Sequence, residues 1–334
     1  MLSDAFIDRL RAAYREGIEG FAGHGESMWV SIDELRQNLH TAILEADTPT
    51  LRDLLGSPLK TKLYFGVDEI YHHDTPLGPE YAAHAAAMSS EALERAAVIL
   101  GAWRCPNPEG GENYPHGAAP RLEPEEALPL LDRIAGTQVE FPNPFPGEAG
   151  LQTSRGIASV RSVGAVYQAL RVRHFCNDSL ERAALEIGGG VGRTAYYSVC
   201  FGVRDYTIVD LPLTLAGQAV FVALTLGEDR VHFGGGGAGS PGVTLLTPQQ
   251  FHDCQRSWRV ALNVDSLPEI DHRNAALYIE RLRRDQTILL SINHEANRSA
   301  VADIAGTEFR RMRAPYALRP GYLEEVYDFR SGAS

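Results

Sequence analysis

The residues best suited to chemistry fall into two sets. In the first, Glu186, Gly188, Gly190 and Gly192 alternate through "EIGGGVG", directly after a short apolar run. Glycines at a strand-to-helix turn let a ligand approach the backbone closely. The dinucleotide pattern G-x-G-x-x-G fails in either frame, because Arg193 takes the sixth place from Gly188 and Val191 the third from Gly189. An acid at that strand end repels a pyrophosphate but accepts a hydrogen bond from an ammonium, so Glu186 points to an amino-acid tail. About 20 residues on, where acids hold ribose hydroxyls in nucleoside sites, stands Asp210, with Leu211 beside it. Leu211-Pro212 also fits a helix start, which leaves Asp210 a second reading as a cap. Asn263 lies inside another apolar run, where a buried amide needs partners. It either touches the ligand tail or ties neighbouring strands.

The second set is Asp265, Glu269, Asn293, His294 and Glu295. His294 could act as a general base, with Asp265 or Glu269 orienting it. Alternatively, Asp265 with Asn293 or Glu295 offers hard oxygens for Mg2+, with Glu269 as a further candidate ligand, and the metal would acidify a bound hydroxyl. Positioning alone is the third option. His272 and the pair His72-His73 read more simply as solvated loop residues.

These sets need a frame to bring them together. Residues 150–334 alternate helical stretches with short, β-branched runs that are apolar on both faces, as in a parallel sheet buried between helix layers. The expectation is an α/β, Rossmann-like, doubly wound and mostly parallel seven-stranded sheet. "EFRRMRAPYAL" and "YLEEVYDFR" supply its two final antiparallel strands. Residues 1–149 carry helical periodicity instead: Phe6, Ile7, Leu10 and Tyr14 share one stripe. They read as a mainly helical region, and "FPNPFPGEAG" marks the boundary. Such a region could lid the acceptor site, supply rings such as Trp29, Tyr64, Phe65, Tyr71 or Trp103, or make a homodimer contact. The glycine run at 233–242 lacks the Lys-Ser/Thr of a phosphate cradle and reads as a loop.

The chain has 334 residues, 44% of them hydrophobic, and a formal net charge of -12. That charge argues against a nucleic-acid partner, which needs a clustered basic surface. No apolar run reaches the ~20 residues of a membrane span, and acidic residues occupy the place of a signal sequence, so a cytoplasmic protein is expected. The four cysteines form no C-x-x-C pair.

An amino-acid tail joined to a nucleoside describes S-adenosylmethionine (SAM). "EIGGGVGRT" resembles the first motif of class I SAM-dependent methyltransferases, and "IVDLP" the second. "LEIGGGVG", "NVDSLPEI", "ALYIERLRR" and "ILLSINHEA" are together similar to bacterial sugar O-methyltransferases of natural-product pathways. One departure is Ile270 after Glu269, where that family continues Glu-Met. The resemblance covers about the second half of the chain. It implies transfer of a methyl group to a hydroxyl of a deoxysugar or glycosylated natural product. Alternatives are another small acceptor, such as a phenol, carboxylate or amine, or a SAM-binding protein without transferase activity.

Overall fold

The computed structural model describes residues 1–20, 27, 29–68, 78–104, 122–176, 183–237, 239–297 and 299–330. Tyr71, His72, His73 and Cys105 lie outside the described residues. The front of the chain forms α1 (Asp4–Glu19), α2 (Trp29–Leu35), α3 (Gln37–Glu45), α4 (Thr48–Leu55), α5 (Pro58–Thr61), α6 (Pro79–Ile99) and α7 (Pro124–Ala135). Ser3 caps α1 by accepting from the Phe6 amide at 3.1 Å, and Phe6, Ile7, Leu10 and Tyr14 form its buried stripe. No strand occurs among the described residues up to Ala135.

A small antiparallel hairpin follows, β1 (Leu151–Thr153) with β2 (Gly156–Ala158), and leads into α8 (Val160–Cys176). Then come β3 (Ala183–Ile187), α9 (Arg193–Cys200), β4 (Asp205–Val209), α10 (Pro212–Leu226), β5 (Val231–Phe233) and β6 (Gly242–Leu246). The chain continues as α11 (Pro248–Asp253), β7 (Val260–Val264), α12 (His272–Arg284), β8 (Ile288–Asn293), α13 (Val301–Ala305), β9 (Arg310–Pro315) and β10 (Leu323–Asp328).

The main sheet runs β5-β6-β4-β3-β7-β8-β10-β9. Its first six strands are parallel, while β10 pairs antiparallel with both β8 and β9. The order reverses at β3, so a crevice opens at the carboxyl ends of β3 and β7, where doubly wound sheets take their ligands. The sheet has eight strands rather than the seven expected. The extra one, β5, is three residues long and followed by glycines 234–237, too short for alternation to register.

Helix α10 carries no charged residue, and its first twelve residues are all buried. Such a helix must be covered all round. Front-half residues supply part of that cover: Tyr64 donates to the Gly217 carbonyl at 2.9 Å, and the buried Arg36 reaches Thr214 Oγ1 at 3.3 Å. One apolar cluster therefore runs from Leu2 to Val326. The break near residue 149 is a change of chain texture, not a gap in the core. Among the described residues, no helix is long and apolar enough to cross a membrane.

Candidate active site

A cavity of about 700 Å3 lies over the carboxyl ends of β3, β4 and β7. Gly188 and Gly190 line it with φ of +76° and +57°, and Gly192 (+102°) closes the turn against α10, values that disfavour side chains. A Cβ on Gly188 would come within 2.3 Å of Ser266 Oγ, whereas above Gly190 the nearest atom is Val67 Cγ1 at 3.8 Å. The turn is thus tight below and open above, as a ligand lying on its backbone requires.

Glu186 faces this cavity from β3 and accepts from Tyr206 Oη at 2.9 Å. Burial pushes its carboxyl up to about 8, against the lowering effect of the Tyr206 bond. Asp210 sits at the end of β4, where its Oδ2 accepts from the Gly189 amide (3.0 Å) and Gln218 Nε2 (2.7 Å). Its Oδ1 accepts from the Leu211 amide at 2.8 Å, and both residues line the cavity. Burial raises Asp210 to about 6, tempered by those bonds and by Arg36.

Asn263 belongs elsewhere. It is fully buried and outside the cavity wall; its Nδ2 donates to the Ile187 carbonyl (2.9 Å) and Ser266 Oγ (2.5 Å), while its Oδ1 accepts from Asn293 Nδ2 at 2.9 Å. Of its two readings, the strand tie is the observed one.

After β7, Asp265 lines the cavity and takes a left-handed φ of +59°, an uncommon and costly conformation for a non-glycine residue. Its carboxylate is held by Arg319 Nη1 (2.7 Å) and Tyr322 Oη (2.8 and 2.9 Å). His294 Nε2 stands 3.7 Å from Asp265 Oδ1. His294 Nδ1 accepts from the Ala296 amide, so in the neutral ring the proton lies on Nε2. The ring has no acceptor left for a substrate proton and is not part of the cavity wall, which corrects its assignment as the base. Glu269 is in the wall. Burial first, then the charge of Asp265, raise its carboxyl to about 7, while a hydrogen bond from the Trp29 side chain works the other way.

The proposed Mg2+ ligands do not converge. Asn293 turns into the sheet, donating to Asn263 and to Ser291 Oγ (2.8 Å). Glu295 forms a two-pronged pair with Arg313 at 2.8 and 2.9 Å. Among the described residues, no group of three or more His, Cys, Asp or Glu could hold a metal. His272 is exposed at the start of α12, and the glycine run after β5 stays outside the cavity wall.

Several wall residues were not foreseen. Arg193 bridges Asp68 (2.6 Å) and Glu148 (2.9 and 3.1 Å), linking the glycine turn to the front half. Tyr316, Arg319 and Tyr322 come from the β9–β10 connection. Their signal was the antiparallel return itself: Leu323 pairs with Asn293, which brings the preceding turn to the carboxyl end of β8.

No family model and no curated protein matches the sequence. Solved structures do. Magnesium protoporphyrin IX methyltransferase from Synechocystis PCC 6803, with bound SAM, matches with TM-score 0.33 and 10% identity over 50% of this chain and 83% of its own. A chain named as an RNA methyltransferase from Pyrococcus horikoshii gives 0.32 and 10% over 49% and 84%. The 16S rRNA methylase RmtB gives 0.34 and 11% over 96% and 98%. All three are methyltransferases by name, and two of them RNA methyltransferases. The exclusion of nucleic acid on net charge is withdrawn on physical grounds: net charge describes the whole chain, whereas a nucleic acid meets one face.

Proposed function

We propose that the protein is a SAM-dependent O-methyltransferase whose acceptor is a hydroxyl of a deoxysugar or glycosylated natural product. The observation that carries this reading is one cavity lined by the glycine turn, Asp210 and Glu269 together. The residues fit the donor: open backbone above Gly190, a ribose-type acid at Asp210 and an acid-lined stretch between. When bound, SAM supplies a methyl group on a positively charged sulfur.

The remaining work is done by the chain's own residues. The cavity aligns an acceptor oxygen with the donor carbon, which removes much of the entropic cost of meeting. Glu269 takes the proton of the acceptor hydroxyl. A carboxylate poised near 7 suits that task at neutral pH. Asp265, held by Arg319 and Tyr322, is a positioning residue whose charge raises the basicity of Glu269. The rings of Trp29, Tyr81 and Tyr322 beside Asn274 and Glu269 give the mixture of flat apolar and hydrogen-bonding surface that suits a sugar.

The test begins with calorimetric titration of S-adenosylhomocysteine (SAH) and NAD into the protein and its Asp210→Ala variant. Saturable binding of SAH alone, weakened at least about ten-fold by the substitution, is expected. Absence of SAH binding, or preference for NAD, would remove the donor assignment. An acceptor screen with glycosylated metabolites and ribosomal RNA in parallel then decides the acceptor, and methylation of RNA alone overturns the sugar reading.

A further inference from the structure

Helix α8 turns one face toward the cavity: Arg161, Gly164, Ala165 and Gln168 all line it, at the i, i+3, i+4, i+7 spacing of a single helix face. Opposite Gly164 lies Tyr316, which is only 6% exposed and whose hydroxyl has no hydrogen-bond partner among the described residues. The Gln168 side chain is its polar neighbour, without a bond of sound geometry between them. Gln168 Oε1 is occupied, accepting from Thr194 Oγ1 at 2.8 Å, which directs its Nε2 toward the same space. A Cβ on Gly164 would stand 3.5 Å from Tyr316 Oη and 3.7 Å from Gln168 Nε2, so the absent side chain leaves a gap between two donors. A buried hydroxyl without a partner is costly, and burial keeps this phenol protonated, hence a donor.

The charges around the cavity decide what completes it. On the glycine-turn side stand Glu186, Asp210, Asp68 and Glu148, and the cation Arg193 is taken up between the last two. A carboxylate is repelled there and an ammonium attracted. On the α8 side stand a guanidinium, an amide N–H and a phenol O–H.

We infer that Tyr316 and Gln168, around Gly164, form a donor subsite for the carboxylate of the methyl donor's amino-acid tail, with Arg161 adding positive potential. The inference rests on the donor reading above. It assigns the grip on the tail to α8 and the β9–β10 connection, outside the glycine motif.

The experiment compares three probes by calorimetry: SAH, decarboxylated S-adenosylmethionine, which keeps the amine but lacks the carboxylate, and 5′-methylthioadenosine, which lacks the whole tail. Tyr316→Phe is expected to weaken SAH about ten-fold, the usual effect of losing a hydrogen bond to a charged group, and to leave the other two unchanged. Gly164→Ala keeps an acceptable helix and fills the gap, so it should weaken SAH in the same selective way while melting no lower than wild type. Equal losses for all three probes, or no loss for SAH, overturn the subsite. So does a wild-type protein that binds SAH no more tightly than 5′-methylthioadenosine, a result that leaves the donor reading standing. Failure of the wild type to bind any probe overturns both.

Discussion

Arg193 Nη1 lies 2.6 Å from Asp68 Oδ2, joining the first residue after the glycine turn to the front half of the chain. The same guanidinium holds Glu148, so two carboxylates, each 6% exposed, share one cation. Removing that cation takes from two buried carboxylates the counter-charge they share. Arg193→Met should cost about 3 kcal/mol of stability, because breaking a buried pair from one side is more costly than the pair's net worth. Urea unfolding monitored by circular dichroism measures this, and a loss under 1 kcal/mol would show the cluster to be hydrated and slack.

Glu269→Gln removes the proposed base while keeping shape and the Trp29 contact. Turnover should fall by about 10²- to 10⁴-fold with SAH affinity unchanged. In the wild type, kcat should rise with pH through about 7, since the carboxylate is the active form. The Gln variant should lose that limb. An unchanged pH profile would take Glu269 out of the chemistry.

His294→Ala should leave turnover within a few-fold of wild type, because its Nδ1 is bonded to the Ala296 amide. Asp265→Asn should cost far more. It weakens the hold of Arg319 and Tyr322 and lowers the pKa of Glu269, moving the rising limb of the pH profile downward. A severe loss in His294→Ala, with Asp265→Asn mild, would reverse these roles.

Glu186 gives a stability prediction with a definite sign. Its folded carboxyl is raised to about 8 by burial, above its ordinary value of ~4.3. The stabilisation is complete below that ordinary value and is lost as pH rises through about 8. The ligand-free protein should therefore melt progressively lower between pH 6 and 9. Glu186→Gln should flatten this slope and exceed wild type at pH 9, and calorimetric melting across that range reads it. Asp210, raised to about 6, adds a drop of the same sign at lower pH.

The parallel strands were readable because each is a short apolar run closed by a turn, and β3, β4, β6, β7 and β8 fall where those runs lie. The glycine-turn half of the cavity was readable for a related reason: a glycine turn and the acid ending the next strand are local in sequence. The half around Glu269 was not. Glu269, Trp29, Arg319 and Tyr322 meet from three distant segments, and nothing in their spacing reports that meeting. His294 looked like a base because it follows a strand at the right end of the sheet. Only the backbone amide of Ala296, two residues on, determines that its free nitrogen is spent. Asn263 could be seen to need partners, but the partners, Asn293 and Ser266, emerge from strand register alone.

Helix α10 has a consequence for engineering. A chimaera that kept residues 150–334 and took its front half from another protein would inherit a helix with no charged residue and no matching cover. On the proposed function, acceptor preference is therefore better altered by point changes in the cavity wall, at positions such as Trp29, Tyr81 or Asn274, than by exchange of whole segments.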